Sequence, residues 1–144
     1  MLANQIGYYS LFIGLLFSFL LCAFSIKDFN NNNKGVNQNI FTLSFLQLTF
    51  VIVSFLSLIV SFINSDFSNE TVFNNSHSTK PLFYKISGTW GNHEGSLLLW
   101  LLVLTLFIFL FLIKSTQEPK KYRILTLLFQ QIIIIGFFLF VLMT

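Results

Sequence analysis

The sequence LLLWLLVLTLFIFLFLI occupies positions 97–113 and contains no Lys, Arg, Asp or Glu. A helix rises about 1.5 Å per residue, so a run of this length nearly covers the roughly 30 Å of hydrocarbon in a bilayer. Because lipid offers no hydrogen bonds to the backbone, an apolar run in a membrane must satisfy its peptide groups internally, as a helix does. We therefore predict that positions 97–113 form a membrane-spanning helix.

Three other apolar runs have similar lengths and also lack charged residues. The four predicted spans are 6–26, 40–63, 97–113 and 124–143. The sequence therefore predicts an all-α integral membrane protein, with residues 1–144 forming a single membrane domain of four transmembrane helices. One long external loop, 64–96, is predicted between the second and third helices.

The composition supports a chain that is solvated by lipid. Hydrophobic residues make up 55% and charged residues 9%, and the mean hydropathy is +0.78, whereas soluble domains are about 25% charged. The single cysteine, Cys22, excludes a disulfide or a paired-cysteine metal site within the chain. The basic residues lie between the apolar runs and not on one aromatic-rich face, so we predict no nucleic-acid partner.

The positive charges are distributed unevenly among the three connections. Six lie in the first and third connections: Lys27, Lys34, Lys114, Lys120, Lys121 and Arg123. The middle connection has two, Lys80 and Lys85, together with Asp66, Glu70 and Glu94. Short loops rich in Lys and Arg tend to stay on the side from which insertion starts. We therefore predict that the short loops lie inside, and that the loop 64–96 and both termini lie outside.

The choice among physically similar residues indicates the base composition of the genome. Twenty phenylalanines, with many Asn, Ile and Lys, occupy positions where other residues would do the same physical work. This is typical of an AT-rich genome, such as an organellar one. We predict a multi-pass protein of the mitochondrial inner membrane, with the long loop and the termini towards the intermembrane space. A bacterial plasma membrane is the alternative.

The informative part of the long loop is positions 90–96, Trp-Gly-Asn-His-Glu-Gly-Ser. Ser96 is the predicted N-cap of the third span, with Glu94 near the positive end of its helix dipole. Gly91 and Gly95 would permit a positive φ or a close backbone approach. Trp90 is expected at the membrane interface.

His93 and Glu94 allow three interpretations. A zinc-binding His-Glu-x-x-His helix needs a second histidine at position 97, which is leucine. An acid–base pair would lack a nucleophile and an orienting group. In the third interpretation, His93, Glu94 and Ser96 only cap and orient the third span. We predict no catalytic residue and no metal site.

Four other polar or aromatic residues lie outside this motif. His77 lies in an Asn- and Ser-rich stretch and is expected to be solvated. Trp100 is predicted to anchor the third span at the interface or to pack against a flat ligand. Gln130 and Gln131 lie in the fourth span and should hydrogen-bond to another helix, which points to partner helices beyond these four.

The run PLFYKISGTWGNHEGSLLLW at positions 81–100 resembles the CcmF family, the haem lyases of bacterial and mitochondrial cytochrome c maturation. The likeness includes Ile6-Gly7, Asp66-Phe67-Ser68 and the GFFLF run at 136–140, and so covers essentially the whole chain. Full-length members have many more spans, a tryptophan-rich segment and later haem-ligating histidines. The resemblance is therefore to the N-terminal part of the family, in a split or truncated form.

The resemblance implies attachment of haem to apocytochrome c on the outer face of the membrane. The chain would be the N-terminal membrane subunit of the lyase, not catalytic on its own. Haem is expected in the complex and not as a ligand of this chain, with His93, Trp90 and Trp100 as candidates for contact with it. The motif residues expected to contact partners are Trp90, Gly91, His93, Glu94, Gly95 and Ser96.

The implied partners are the remaining CcmF polypeptides, a CcmE-like haem chaperone, a CcmH-like thiol protein and apocytochrome c. The alternative function is a structural accessory subunit of an inner-membrane respiratory complex, without ligation activity. A small transporter ranks last, because the predicted spans contain no ionisable residues.

Overall fold

The computed structural model describes residues 2–31 and 35–143, which contain six α-helices and no strand. In chain order the helices are α1 (Leu2–Phe29), α2 (Gln38–Ile63), α3 (Glu70–Asn75), α4 (Leu82–Gly88), α5 (His93–Lys114) and α6 (Lys120–Met143). A short 3-10 turn, Ser115–Gln117, connects α5 to α6. Lys34, which contributed to the predicted charge distribution, lies outside the described residues.

Four of these helices, α1, α2, α5 and α6, are long and apolar enough to cross a membrane. The prediction of an all-helical fold with four helices suited to cross a membrane is confirmed for the described residues. The helices extend beyond the apolar runs, and α5 begins at His93 and not at position 97. The apolar run alone therefore underestimates the length of α5, because its first turn is polar.

Many of the buried residues of α1 and α2 are small. The small ones are Gly7, Ser10, Gly14, Ser18, Ser25, Ser44, Ser54, Ser57 and Ser61. Small side chains allow membrane helices to approach closely, and dispersion forces then stabilise the close contact. A Cβ added at Gly14 would lie 2.9 Å from the ring of Phe138. Glycine at position 14 therefore leaves room for this fully buried α6 aromatic side chain at the centre of the bundle.

The centre of the bundle also contains a polar network that joins three helices. The Gln47 side-chain amide donates to Gln131 Oε1 at 3.2 Å and to the Ser18 hydroxyl, and the Gln131 amide donates back to Gln47 Oε1 at 3.2 Å. All three side chains are fully buried. The prediction that Gln131 hydrogen-bonds to another helix is confirmed, and the partner is Gln47 of α2 in the same chain, so Gln131 does not by itself require a helix from outside the chain. Gln130 is half-buried on the neighbouring face of α6.

One end of the bundle, here called the basic end, carries Lys27, Lys114, Lys120, Lys121 and Arg123. Lys120 Nζ donates to Asp28 Oδ1 at 3.0 Å, and the Asn37 backbone N–H donates to Asp28 Oδ2 at 3.0 Å. Arg123 donates to the Leu112 carbonyl oxygen at 2.7 Å. These bonds join the ends of α1, α2, α5 and α6.

The opposite end, here called the motif end, contains the connection between α2 and α5. This connection includes the short helices α3 and α4. Helix α2 ends with Ser65 in the left-handed region, at φ 51°, and the Asp66 N–H donates back to the Ser61 carbonyl at 2.9 Å. This is a Schellman-type helix end. Lys85 Nζ donates to Ser65 Oγ at 2.7 Å and thereby attaches α4 to the end of α2.

Candidate functional site

The segment 90–96 forms the turn between α4 and α5 and the first turn of α5. Asn92 is the N-cap of α5: its side-chain Oδ1 accepts the Gly95 N–H at 2.7 Å. The Asn92 amide group also donates to the Gly88 carbonyl oxygen at 2.8 Å. One side chain therefore binds the end of α4 and the start of α5 together.

Ser96 was wrongly predicted as the N-cap. It lies inside the first turn, where its hydroxyl donates to the His93 carbonyl oxygen at 2.9 Å. The apolar run suggests a later start than α5 has, because the first turn of α5 is polar and Asn92 satisfies its first free N–H groups. The expected position of Glu94 in that first turn is confirmed.

Gly95 permits a close backbone approach. A Cβ added there would overlap the carbonyl oxygen of Thr89, which is itself fully buried. Gly91 has a milder constraint, since a Cβ would lie 3.3 Å from the Ser87 carbonyl oxygen. None of the described glycines has a positive φ, so these motif glycines serve close packing and not an unusual backbone conformation.

The aromatic and imidazole side chains of the motif lie on the outside of the bundle. Trp90 is 42% and Trp100 59% exposed. His93 and Trp100 are seven positions apart on α5 and so share a helix face. The His93 ring packs edge-to-face against Phe140 of α6, with centroids 6.0 Å apart. The structure therefore places these residues on a surface and does not gather them in a pocket.

The motif end contains a cavity of about 210 Å³ between α1, α2, α3, α5 and α6. Its polar lining includes Asn4, Ser54, Ser57, Ser61, Asn69, Thr71 and Glu94. Its apolar lining includes Leu11, Leu58, Leu98, Val141 and Leu142. Glu94 is thus the motif residue that faces the cavity, and the sequence did not indicate this.

The described residues do not fit an enclosed haem site. The cavity is smaller than the roughly 300–1,000 Å³ of typical ligand pockets, and neither histidine lines it. His77 is exposed between α3 and α4. No group of three or more His, Cys, Asp or Glu side chains that could hold a metal ion occurs in residues 2–31 and 35–143. Contact with haem at His93 or Trp100 would need a second surface to cover it.

Two sets of residues were missed by sequence reasoning. Asn92 could have been found from the preference of Asn for N-cap positions, since Asn37 and Asn69 cap α2 and α3 in the same way. The cavity residues of α1 and α2 carry no such local signal, because only the packing of distant segments brings Asn4 beside Asn69. These two side chains are hydrogen-bonded at 2.9 Å.

The fold and this site define a multi-pass, all-helical membrane protein with a structured motif at one end of the bundle. The chain is 49% identical over 98 residues to the cytochrome c-type biogenesis protein CycK of Bradyrhizobium diazoefficiens, covering 68% of this chain and 15% of the relative. It is 36% identical to CycK of Rhizobium meliloti, covering 97% of this chain and 21% of the relative. It is 32% identical to CcmF of Haemophilus influenzae, covering 97% and 22%.

The chain therefore belongs to the CycK/CcmF family of cytochrome c-type biogenesis proteins and corresponds to its N-terminal part, as the motif predicted. It spans between 15% and 22% of the length of these three relatives. No family model matches the chain, and no solved structure matches it.

Proposed function

We propose that this chain is the N-terminal membrane subunit of a cytochrome c haem lyase and helps to attach haem to apocytochrome c. The observation that carries the proposal is the similarity to cytochrome c-type biogenesis proteins over 97% of the chain, which includes the motif at 90–96. This chain spans about a fifth of those two relatives, and the proposal covers only the part of the lyase that they share with it.

The charge distribution supports an orientation with the motif end on the outer face. The basic end has five described basic residues against Asp28 and Glu118, whereas the motif end has Lys80 and Lys85 against three acidic residues. Positive loops tend to remain inside. In a mitochondrion, which the composition favours, the motif end would face the intermembrane space. In a bacterial plasma membrane it would face the periplasm.

The exposed part of the motif is the surface that we assign to partners. Trp90 and His93 project from a turn that the Asn92 cap and the Gly95–Thr89 contact hold rigid. Rigid aromatic side chains lose little entropy on binding and are common at the centres of interfaces. The proposed partners are the remaining CcmF polypeptides, a CcmE-like haem chaperone, a CcmH-like thiol protein and apocytochrome c. Haem would be held by the complex and not ligated by this chain.

Variants of the exposed motif residues test this role. Trp90→Ala and His93→Ala should each lower the amount of covalently bound haem in c-type cytochromes, measured by haem staining of denaturing gels. The variant chains should insert at normal levels, because both side chains are exposed. His77→Ala is the matched control, since it alters the other histidine of the same connection. Normal haem staining in both motif variants would contradict the proposal.

A structural accessory subunit of an inner-membrane respiratory complex is the second candidate. It is favoured by the absence of a histidine from the cavity lining and by the placement of Trp90, His93 and Trp100 on an open surface. A purely structural chain would need neither a histidine in the cavity nor an enclosed site around Trp90, His93 and Trp100. It would copurify in stoichiometric amounts with a respiratory assembly, and its loss would leave covalent haem unchanged.

A further inference from the structure

The cavity at the motif end combines one carboxylate with hydroxyl groups and apolar walls. Glu94 lies in the first turn of α5 and lines the cavity. Ser54 lines the cavity from α2 and is only 2% exposed. Leu11 and Leu98 provide apolar wall. The walls therefore suit a ligand with a charged head and a short apolar stem.

Within the described residues, no ion pair or hydrogen bond is found for the Glu94 carboxylate, and no hydrogen bond is found for the Ser54 hydroxyl. By contrast, Ser61 donates to the Ser57 carbonyl oxygen at 3.0 Å, and Asn69 donates to Asn4 at 2.9 Å. The cavity thus has a rigid polar frame with two acceptor groups left for a ligand. An ionised carboxylate in such a partly enclosed site favours a cation.

An exposed aromatic side chain borders the cavity. Tyr8 lines the cavity and is 52% exposed. Its ring packs edge-to-face against Phe12, with centroids 4.8 Å apart, and against Tyr9 at 6.3 Å. A separate surface depression, lined by Gln5 and Tyr9, shares Asn4 and Tyr8 with the cavity. Aromatic faces attract ammonium and guanidinium groups.

We propose that this cavity binds the lysine or arginine side chain of a partner polypeptide, with its cationic group on Glu94 and its stem between Tyr8 and the leucines. The volume of about 210 Å³ is below the range of drug-sized ligands but offers space for one long side chain. A phospholipid headgroup is disfavoured, because no Lys, Arg or His lines the cavity to compensate a phosphate beside Glu94.

This inference goes beyond the proposed function, since it concerns recognition of a cation and holds or fails irrespective of haem attachment. If the chain binds the cation but does not affect cytochrome haem, the cation site is supported and the proposed function is contradicted. If it affects cytochrome haem but does not bind the cation, the proposed function is supported and the cation site is contradicted. The two claims therefore fail separately.

The first experiment uses the full chain, labelled with ¹⁵N-glycine, in phosphatidylcholine nanodiscs. Titration with n-butylguanidinium should shift the amide signal of Gly7, which lines the cavity, in a saturable way. Gly35 and Gly136 are internal controls, because neither lines the cavity and neither has a neighbour within 4 Å of its Cβ position. The neutral isostere n-butylurea should cause no saturable shift.

Glu94→Gln keeps the shape of the side chain and removes its charge. It should weaken n-butylguanidinium binding by at least about tenfold, because truncating one member of a partly buried charge pair costs more than one decade of affinity. Glu70→Gln is the matched control, since Glu70 is exposed on α3 and does not line the cavity. Equal binding of n-butylurea, or unchanged binding in Glu94→Gln, would overturn the proposal.

The source of the cation is tested in native membranes with a benzophenone-bearing amino acid at position 8. The proposal expects a cross-linked peptide from another chain with a Lys or Arg next to the attachment point. This cross-link should be lost when Glu94→Gln is added. Attachment only to lipid, or to a peptide without a nearby basic residue, would overturn the assignment to a partner side chain.

Discussion

Single residues fix the geometry of the motif. Asn92 bonds to both flanking helices, and Gly95 leaves the space that the Thr89 carbonyl oxygen occupies. Both features depend on contacts of a few ångströms. Substitutions of Asn92 or Gly95 should therefore disturb the structure of the motif, and any loss of recognition would follow from that change. Trp90 and His93, by contrast, are exposed and should affect recognition alone.

Gly95→Ala should destabilise the protein. The added methyl group would overlap the Thr89 carbonyl oxygen, and the backbone cannot yield as a flexible side chain would. We expect a loss of about 1–3 kcal/mol in the free energy of unfolding, typical of overpacking, measured by denaturant titration in detergent. Gly136→Ala is the control: its Cβ has no neighbour within 4 Å, so it should be neutral or slightly stabilising. Equal stability of the two variants would show that the close contact is absent.

Gln131→Leu should lower the stability of the bundle, because it removes a member of the central polar network. It leaves the buried Gln47 amide with one partner fewer, so we expect a loss of about 0.5–2 kcal/mol, the range for polar contacts between membrane helices. Gln47→Leu combined with Gln131→Leu should cost less than the sum of the single variants, because both unpaired groups are removed together. Strict additivity in a double-mutant cycle would contradict a direct bond.

At the scale of elements, the four spans could be predicted because an apolar run of about twenty residues in lipid satisfies its backbone hydrogen bonds by forming a helix. Their ends could not, because capping depends on single polar residues such as Asn92 that the apolar pattern ignores. The partner of Gln131 could not be predicted either, since Gln47 lies on α2, far away in the sequence. The short helices α3 and α4 also lack a strong periodic signal.

The N-cap of α5 gives a prediction at this scale. Asn92→Ala should cost about 1 kcal/mol and increase hydrogen exchange at the amides of the first turn of α5, because their N–H groups lose an acceptor. Ser96→Ala, at the cap predicted from sequence alone, should have the smaller effect, since its hydroxyl only donates to the His93 carbonyl. A larger effect of Ser96→Ala would reverse the assignment of the cap.

At the scale of the whole molecule, the two ends of the bundle differ in charge and in content. The basic end is held by Asp28, Lys120 and Arg123, while the motif end carries the cavity and the exposed motif. The resemblance to the family could be recognised from positions 81–100 alone. The cavity could not, because its lining residues come from five helices.

The proposed orientation can be measured by cysteine labelling in sealed inner-membrane vesicles. With Cys22→Ser as background, Phe83→Cys at the motif end should react with a membrane-impermeant maleimide added from the outer face. Thr116→Cys at the basic end should react only after the membrane is opened. Both positions are exposed, so access to water is not limiting. The opposite pattern would place the motif on the inner face and contradict the proposed role.

The most direct test of the central claim is depletion of this chain followed by haem staining of the c-type cytochromes. A maturation subunit predicts that covalent haem on c-type cytochromes falls while the apocytochrome polypeptides are still made and respiratory complexes without c-type haem persist. Normal covalent haem together with loss of one respiratory assembly would contradict the claim and favour the structural subunit.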